Sequence, residues 1–423
     1  MTRLMMGLTT MHRRYIQSIA APAAMIGTLF LCLTSSPLRA AEAKNPAAAG
    51  SEPYFHSQPL FEAGRDDYRC YRIPAIAVAP KGAILAAAAG RYNGHGDWSN
   101  TDLMLRRSAD GGETWDDQQV LVNDGVNTVD NPCFIVDAKR GEVHLMYQIG
   151  YARAYVKTSR DDGVTWSPPQ EVTAAFDEFR TRDGYAWQVI AMGPGHGLTL
   201  RSGRLVVPVW LATEKKHRPS ISTTVYSDDQ GKTWHAGDVI VETTEETPNP
   251  SETELVELSD GRVLANVRNE SKRHRRLFSI SADGATGWSK PEFQEALYEP
   301  ICMGGNATIA DADGQTTALL YSYPNSGPGT GPTGKEGARE RRNLTVRVSD
   351  DDGKTWPVSQ VVDAGPSGYS DMAVDLDGTI YLLYEARSLE PKGPFIPATL
   401  TLARFNRAWL EAGKQGADAA AAQ

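Results

Sequence analysis

The sequence predicts an all-β protein, a six-bladed β-propeller built from four-stranded antiparallel blades. Two interleaved repeats predict this fold. A unit of strand, glycine turn and strand occurs six times, and a short motif that begins with Ser and ends with Trp occurs five times. The 39 glycines and 25 prolines among 423 residues agree with it, because a fold of many short strands needs many turns.

The first repeat is a turn glycine between two β-rich runs, as in the runs 75–78 and 83–87 on either side of Gly82. Such runs bounded by a glycine turn predict paired strands. The turn glycines recur at intervals of roughly 50 to 65 residues, a range typical of propeller blades. They are Gly82, Gly141, Gly203, Gly261, Gly314 and Gly378. Six similar hairpins indicate six similar modules.

The second repeat has the form Ser-X-Asp-X-Gly-X-Thr-Trp, the pattern known as the Asp box. In a tight hairpin its Asp accepts backbone N–H bonds, its Gly takes a positive φ and its Trp packs beneath the turn. Four copies match, and residues 281–288 form a degenerate fifth. The four copies are 108–115, 159–166, 227–234 and 349–356. Each Asp box adds two strands to a hairpin, which predicts a four-stranded blade. The boxes indicate fold rather than chemistry, because propellers of several functions carry them.

The ring is expected to close between the two ends of one domain, residues 41–410. Five predicted blades end in an Asp box, and the sixth ends in the strand Thr399 to Arg404. A strand near Tyr54 to Phe61 is expected to complete that sixth blade. Residues 411–423, which end in Ala-Asp-Ala-Ala-Ala-Ala-Gln, are expected to form a disordered tail.

The first 40 residues have the pattern of a signal peptide. Three arginines precede an apolar run, and they are Arg3, Arg13 and Arg14. The run, from Ala20 to Leu33, is broken by Pro22 and Gly27 and is shorter than the ~20 residues that a membrane span needs. We therefore expect cleavage near Ala40, export to the periplasm or the medium, and no stable membrane span in the mature protein.

Charge and cysteine content limit which partners and cofactors the sequence predicts. A net charge of -9 without a long basic run argues against nucleic acid or an anionic membrane as partner. An acidic substrate would therefore need a local cationic pocket. Past the predicted signal peptide, Cys70, Cys133 and Cys302 are too few for a disulfide framework and lack metal-ligand spacing. We expect them to be small buried side chains with at most one bridge, and no motif predicts a metal or organic cofactor.

Motifs spread along the chain resemble, in order, those of the bacterial exo-α-sialidases, also called neuraminidases, of the family 33 type of glycoside hydrolases. Tyr71-Arg-Ile-Pro74 resembles the start of their catalytic domain, and Gly368-Tyr-Ser-Asp-Met372 resembles a later element. The runs 251–269 and 193–200 are similar to segments between them. The resemblance implies a propeller hydrolase without a cofactor that removes terminal sialic acids from glycans, glycoproteins or glycolipids, with retention of configuration.

A sialoside carries a carboxylate on its anomeric carbon, and arginine forks suit a carboxylate because they are permanently charged and planar. The resemblance implies three arginines for this carboxylate, namely Arg72, Arg268 and Arg341. Arg339 and Arg342 remain alternatives to Arg341, because a shift of one residue along a strand changes the face that a side chain occupies.

A carboxylate nucleophile would be repelled by the charge of the substrate, and sialidases use a tyrosine instead. The resemblance implies that Tyr369 is the nucleophile and that Glu252 takes its phenolic proton. Glu254 and Glu257 are then left to other roles. His196 is expected on a loop near the pocket without a catalytic role.

An acid must also protonate the departing oxygen. The resemblance implies Asp97, on the loop that follows Arg91, as the general acid and base. Asp102 remains the alternative, although it stands at the start of a strand. Arg91 and Glu385 are implied as substrate-binding residues, Glu385 because it resembles the carboxylate that orients Arg72.

Two rival functions stay open at the level of sequence. One is a hydrolase or transferase for a related ulosonic acid. The other is a propeller that binds glycans without cleaving them. Asp97, Glu252 and Tyr369 count against the second rival, because pure binding needs the arginines but not these three side chains. If the chain is an enzyme of the implied kind, its six catalytic and carboxylate-binding residues should meet at one end of the ring.

Overall fold

Strands dominate the computed structural model, which describes residues 52–328, 339–390 and 394–413. These residues form 25 strands and one nine-residue helix, together with a helical segment at 407–413. The all-β prediction is confirmed. The predicted signal peptide, residues 1–40, lies outside the described residues, and so does most of the predicted tail, residues 414–423. The prediction of a disordered tail from residue 411 was wrong for residues 411–413, which continue the helical segment that begins at residue 407 and contains the buried Leu410.

Nine of the described strands precede the helix in chain order. They are β1 (Phe55–Glu62), β2 (Cys70–Val78), β3 (Ile84–Arg91), β4 (Thr101–Ser108), β5 (Gln119–Val122), β6 (Val129–Asp137), β7 (Glu142–Ile149), β8 (Arg153–Ser159) and β9 (Gln170–Glu171). Helix α1 (Thr173–Thr181) follows. Next are β10 (Val189–Met192), β11 (Gly195–His196), β12 (Leu198–Thr199), β13 (Leu205–Ala212), β14 (Ser220–Ser227), β15 (His235–Ala236), β16 (Thr253–Glu257), β17 (Val263–Val267), β18 (Arg275–Ser281) and β19 (Glu292–Tyr298). The last are β20 (Gly305–Ala310), β21 (Thr316–Pro324), β22 (Arg342–Ser349), β23 (Val358–Val374), β24 (Ile380–Ser388) and β25 (Pro397–Phe405).

The strands pair mainly with their neighbours in sequence. β2 to β5 form one four-stranded sheet and β16 to β19 form another. β6 to β9 form a sheet that β11 joins beside β6, and β10, β13, β14 and β15 form a sheet that β12 joins beside β13. The remaining strands follow the order β1-β25-β24-β23-β22-β21-β20. Short links between adjacent strands explain this order, because a tight turn can join only antiparallel neighbours.

The seven-stranded path depends on the 17-residue strand β23. Residues 358–366 of this strand pair with β22, and residues 367–374 pair with β24. The path therefore consists of two four-stranded units that share one long strand. β1 pairs with β25, from Phe55 opposite Phe405 to Glu62 opposite Thr399, which is the pairing expected for the first strand. The six-bladed ring as a whole stays a prediction.

All six predicted turn glycines lie between paired strands and have a positive φ, from 70° at Gly141 to 93° at Gly82. Residues with a Cβ rarely take this conformation, so glycine is the suitable residue at these turns. The first repeat of the sequence is therefore confirmed as a set of hairpin turns.

The Asp boxes owe their shape to a compact set of hydrogen bonds, seen at residues 227–234. Ser227 Oγ accepts a bond from the backbone N–H of Gly231 at 2.8 Å. Asp229 accepts bonds from the backbone N–H and the hydroxyl of Thr233 at 2.8 and 2.7 Å. Trp234 Nε1 donates to the Gly231 carbonyl at 3.2 Å. The same bonds recur in the copies that begin at Ser108, Ser159 and Ser349.

Replacing an Asp-box carboxylate should cost stability at neutral pH but not in acid. The bonds from Thr233 hold the pKa of Asp229 at about 2, below the ~3.9 of an unfolded chain. A carboxylate whose pKa is lower in the folded than in the unfolded protein stabilises the fold at pH values above the unfolded pKa. This stabilisation is lost as the pH falls through the folded pKa. We expect Asp229→Asn to lower Tm at pH 7, and the difference from wild type to vanish between about pH 4 and about pH 2.

Circular dichroism melts at a series of pH values check this prediction. Asp228→Asn is the matched control, because the Asp228 side chain is 58% exposed and pairs with Arg204 on the surface. A Tm loss for Asp229→Asn that stayed constant down to pH 2 would contradict the role given to the ionised carboxylate.

Helix α1 was not predicted. It lies between β9 and β10, and its buried residues Ala175, Phe176 and Phe179 share one face because they are spaced by one, three and four residues. The three cysteines expected to be buried are buried and unbridged. No helix in the described ranges is both long enough and apolar enough to cross a bilayer.

Candidate active site

Strand β2 is bulged where it carries Arg72. Its register with β3 shifts between Arg72 and Ala75. Pro74 has no N–H to give to the ladder, and Ile73 has φ of 57°, a rare conformation for a β-branched residue. Bulges of this kind redirect side chains and are frequent beside functional sites. Arg72 therefore leaves the regular alternation of its strand.

The predicted nucleophile also lies at a bulge. The register between β23 and β24 shifts between Ser367 and Ser370, and Tyr369 lies inside that shift. The Tyr369 hydroxyl donates to Glu252, and Arg268 Nη1 donates to the phenolic oxygen at 2.8 Å. Arg268 also contacts the Glu252 carboxylate. These three residues, distant in sequence, form one hydrogen-bonded group.

Sheet pairing explains why Glu252 and Arg268 meet. Glu252 immediately precedes β16 and Arg268 immediately follows β17, and the Arg268 N–H donates to the Glu252 carbonyl at 3.0 Å. The two residues thus extend the antiparallel ladder by one step, and their side chains emerge at the same point. The sequence segment that suggested both residues is a hairpin around Gly261.

The Tyr369 phenol keeps its proton in the resting protein. Burial raises its pKa, and the neighbouring Glu252 carboxylate raises it further. Arg268, Arg341 and Arg72 act in the opposite direction, but the pKa stays above its ordinary value. The phenol can therefore act as a nucleophile only if a base takes its proton, and Glu252 already accepts its hydrogen bond.

Glu385, on β24, fixes both bulges. It is fully buried and accepts bonds from Arg72 Nε at 2.9 Å and Nη2 at 3.4 Å. It also accepts the backbone N–H of Ile73 at 3.3 Å and that of Tyr369 at 3.1 Å. One carboxylate therefore orients the Arg72 side chain and holds the backbone beside the phenol.

Glu385→Gln should lower stability and weaken substrate binding together. The amide has one oxygen and no charge, so it leaves some of the four buried donors without an acceptor, which costs about 1–3 kcal/mol. Glu390→Gln is the matched control, since Glu390 is 42% exposed and pairs with Arg69 at the surface, where an ion pair contributes about 0–1 kcal/mol. Urea unfolding and KM measurements check this prediction. An unfolding free energy unchanged by Glu385→Gln would contradict it.

Arg341 completes a group of arginines around the phenol. Its guanidinium carbon lies 5.0 Å from the centroid of the Tyr369 ring, and that of Arg72 lies 5.2 Å from it. Neither Arg339 nor Arg342 places its guanidinium over this ring. Of the three arginines implied for carboxylate binding, Arg341 alone has no carboxylate within 4 Å in the described part of the chain.

Asp97 lies at the open side of this group. Its Oδ1 is 3.4 Å from Arg91 Nη1 and 3.9 Å from Arg72 Nη1, and its side chain is 47% exposed. Burial raises the pKa of Asp97, but Arg91 and Arg72 outweigh it and hold that pKa below the ordinary value. Arg91 is itself fully buried and is anchored by Asp130 at 2.9 Å.

Asp102 lies in a different cluster. It is buried on β4 and accepts hydrogen bonds from Tyr68 at 2.7 Å, Tyr92 at 2.8 Å and Asn123 at 2.6 Å. These bonds hold the carboxylate in place. Of the two aspartates considered for the acid, the structure therefore brings Asp97 to the arginines.

Two neighbours of the site were missed in the sequence. A sequence signal for Asp130 existed, because Asp130-Asn-Pro132 resembles the segment Arg72-Ile-Pro74. In β6 this segment forms the same kind of bulge, with a register shift and a positive φ at the residue before the proline. His217 had none, because it lies in a basic run that looks like an exposed loop. Its Nδ1 is 3.8 Å from Asp97 Oδ2, and its ring packs 4.9 Å from Tyr151.

The expectation for His196 was wrong in one respect. His196 lies on the short strand β11, which pairs in parallel with β6, rather than on a loop. Its Nδ1 is 2.7 Å from Asp371 Oδ1 and 3.6 Å from Glu254 Oε2. Among the described residues these three side chains form a group that could hold a metal ion.

The chain is similar to known proteins in sequence and in fold. The model of the BNR repeat-like domain matches residues 82–382. A sialidase of Micromonospora viridifaciens is 33% identical over 94% of this chain and 60% of its own length, and one of Bacteroides fragilis is 28% identical over 77% and 61%. This chain thus spans about three fifths of the length of these two relatives.

The fold is similar to that of solved sialidases. The Hadza microbial sialidase Hz136 superposes with a TM-score of 0.68 at 24% identity, over 83% of this chain and 68% of the other. At this identity the likeness concerns the fold. The match to the family model covers more than half of the sequence, and it includes all six turn glycines. The chain therefore belongs to the BNR-repeat family, and the relatives compared above are sialidases.

Proposed function

We propose that the chain is an exo-α-sialidase that hydrolyses terminal sialic acids from glycoconjugates with retention of configuration. The observation that carries the proposal is the position of the Tyr369 phenol. It donates to Glu252, accepts from Arg268, and has the guanidinium groups of Arg72 and Arg341 over its ring. A phenol between a base and three cations suits attack on an anomeric carbon that bears a carboxylate.

Recognition starts with the substrate carboxylate and the three arginines. Arg72 and Arg268 each have a protein carboxylate partner, whereas Arg341 has none among the described residues. The site therefore has a cation available for an incoming anion, because a guanidinium group stays protonated in proteins. Glu385 and Glu252 already orient Arg72 and Arg268. These two arginines therefore lose little freedom on binding, which favours bidentate contacts with a carboxylate.

In the first chemical step the phenolic oxygen of Tyr369 bonds to the anomeric carbon as its proton passes to Glu252. The bond from that carbon to the departing oxygen breaks, and Asp97 gives its proton to the leaving group. The sugar is then attached to Tyr369. The nearby arginines stabilise the substrate carboxylate beside the positive charge that develops on the ring.

In the second step a water molecule attacks the anomeric carbon, and Asp97 accepts its proton. The bond to Tyr369 breaks, and the phenol regains its proton from Glu252. Two inversions give net retention, so the sugar leaves as the α-anomer. The partial exposure of Asp97 suits both roles, because the leaving group and the water must each reach it from the solvent side.

A glycan-binding protein would need the arginines but not a base against the phenol. Incubation with an aryl α-sialoside, followed by proton NMR, separates the possibilities. We expect release of the aryl alcohol and early accumulation of the α-anomer of free sialic acid. Binding without release would overturn the proposal in favour of a binder, early β-anomer would overturn retention, and a new glycoside without free sugar would indicate transfer.

We also infer that the four-stranded units form the six blades of one propeller and that the protein is exported. The pairing of β1 with β25 and the sharing of β23 support the first inference. The arginines and the apolar run before Ala40 support the second. N-terminal sequencing of the active protein should give a start near Ala41. An intact Met1 on active cytoplasmic protein would contradict export.

A further inference from the structure

Two strands of the site each carry an acidic residue two positions after a catalytic candidate. Glu254, on β16, lies two positions after Glu252, which immediately precedes that strand, and Asp371 lies two positions after Tyr369 on β23. The second pair also lies close together, because Glu254 and Asp371 each have a carboxylate oxygen within 4 Å of His196 Nδ1. Both new carboxylates are buried, and both lie near His196 on β11. No step proposed above for glycoside cleavage uses these three residues.

Asp371 is well satisfied. Its Oδ1 lies 2.7 Å from His196 Nδ1 and accepts the N–H of Met372 at 2.9 Å. Its Oδ2 accepts the N–H of Ile76 at 2.8 Å. These bonds fix the carboxylate on a rigid part of the sheet, as supporting bonds do for the ligands of metal ions.

Glu254 is not satisfied. Its side chain is 1% exposed, and neither of its carboxylate oxygens has a hydrogen-bond partner in the described residues. The nearest nitrogen of the cluster, His196 Nδ1, is 3.6 Å from Oε2, beyond hydrogen-bond distance. A buried carboxylate without a partner is costly. The carboxylate points towards His196 and Asp371, so whatever satisfies it lies in that direction.

Gly195 leaves space beside both carboxylates. Its φ is 103°, and a Cβ at this position would lie 3.1 Å from Glu254 Oε1 and 3.1 Å from Asp371 Oδ1. A side chain here would therefore crowd one oxygen of each carboxylate. Glycine keeps this space open, and it does so directly before the histidine.

We propose that His196, Glu254 and Asp371 bind one divalent cation of the Zn²⁺ or Mn²⁺ class. One ligand atom from each residue lies within 4.8 Å of the others, and bonds of roughly 2.0–2.2 Å put the ligands of one ion at most about 4.4 Å apart, so a small closure suffices. An imidazole with two carboxylates suits Zn²⁺ or Mn²⁺ better than Ca²⁺, which takes oxygen ligands. Binding requires both carboxylates to be ionised and the coordinating imidazole nitrogen to carry no proton, so any proton held on these atoms passes to solvent.

Metal binding by the chelator-stripped full chain tests this site. Equilibrium dialysis against MnCl₂ or ZnCl₂, with metal measured by mass spectrometry, should give one ion per wild-type chain and a rise in Tm. Glu254→Gln keeps the shape but removes the charge, and should weaken binding by at least ~10-fold. Glu178→Gln is the matched control, because Glu178 lies 3.2 Å from His235 in an exposed pair of the same residue types. It should bind as the wild type does.

The wild-type chain decides the question even if Glu254→Gln fails to fold. Pulsed EPR of the Mn²⁺ complex should show coupling to an imidazole nitrogen, which a carboxylate site elsewhere would not give. If the wild type bound neither ion, or if Glu254→Gln bound it with unchanged affinity and the same nitrogen coupling, the cation site would be overturned. A shared proton would then be what neutralises Glu254. None of these readouts uses glycosidase activity, so they are independent of the proposed function.

Discussion

Tyr369→Phe should lower kcat on both natural and aryl sialosides by ~10³-fold or more, a range typical of the loss of a catalytic nucleophile. The substitution removes only the phenolic oxygen, which donates to Glu252 and accepts from Arg268. The ring remains for the guanidinium groups of Arg72 and Arg341. Substrate binding should therefore change much less than kcat. Steady-state kinetics together with a binding isotherm for sialic acid measure the two effects separately.

Tyr384→Phe is the matched control for this experiment. Tyr384 is also a buried tyrosine that donates to a carboxylate, Asp363 at 3.3 Å, but it makes no contact with the arginine group in the described structure. It should keep wild-type kcat. If Tyr369→Phe also kept most of its activity, the nucleophile would be another group.

Asp97→Ala should slow the hydrolysis of natural sialosides by ~10² to 10⁴-fold, the usual contribution of general acid catalysis. An aryl oxide of low pKa can leave without a proton, so activated aryl substrates should lose far less. Because Arg91 and Arg72 keep the pKa of Asp97 low, the protonated acid becomes scarcer as the pH rises. kcat/KM of the wild type on natural substrates should fall accordingly, and Asp97→Ala should lose this dependence.

Asp102→Ala is the variant to compare with Asp97→Ala, because Asp102 is the alternative candidate for the general acid. The bonds that Asp102 accepts from Tyr68 and Tyr92 lead us to expect a loss of stability without any dependence on the leaving group. The opposite pattern, with equal slowing of both substrates by Asp97→Ala and leaving-group dependence in Asp102→Ala, would assign the acid to Asp102.

The fold was predictable where the signal is local. The turn at Gly261 needs a positive φ, and the box at residues 227–234 closes its hydrogen bonds within eight residues, so both leave a mark in a short stretch of sequence. Helix α1 left a weaker mark, because Phe176 and Phe179 are buried by partners far along the chain. The strand β11 likewise depends on β6, some 60 residues away, and its two residues carry no strand pattern.

The sequence indicated which motifs form the site but not how their side chains are arranged in space. Sequence could not separate Arg341 from Arg339 or Arg342, because their alternation depends on how the chain enters β22. The contact of Arg91 with Asp130 joins two different sheets, and so does the contact of Glu254 with His196. Such contacts follow from the arrangement of the sheets, which no single segment encodes.

The central claim is that Tyr369 forms a covalent bond to the sugar, and mass spectrometry of the trapped protein tests it most directly. 2,3-Difluorosialic acid loses its anomeric fluoride on attack, and its second fluorine slows release of the sugar by destabilising positive charge on the ring. After incubation, we expect each chain to gain the mass of one difluorosialic acid less HF, because fluoride leaves the sugar and the phenol loses its proton. The label should lie on the peptide that contains Tyr369 and be absent from Tyr369→Phe. An active wild-type protein that carried no adduct, or that carried it on Asp97 or Glu252, would contradict the account.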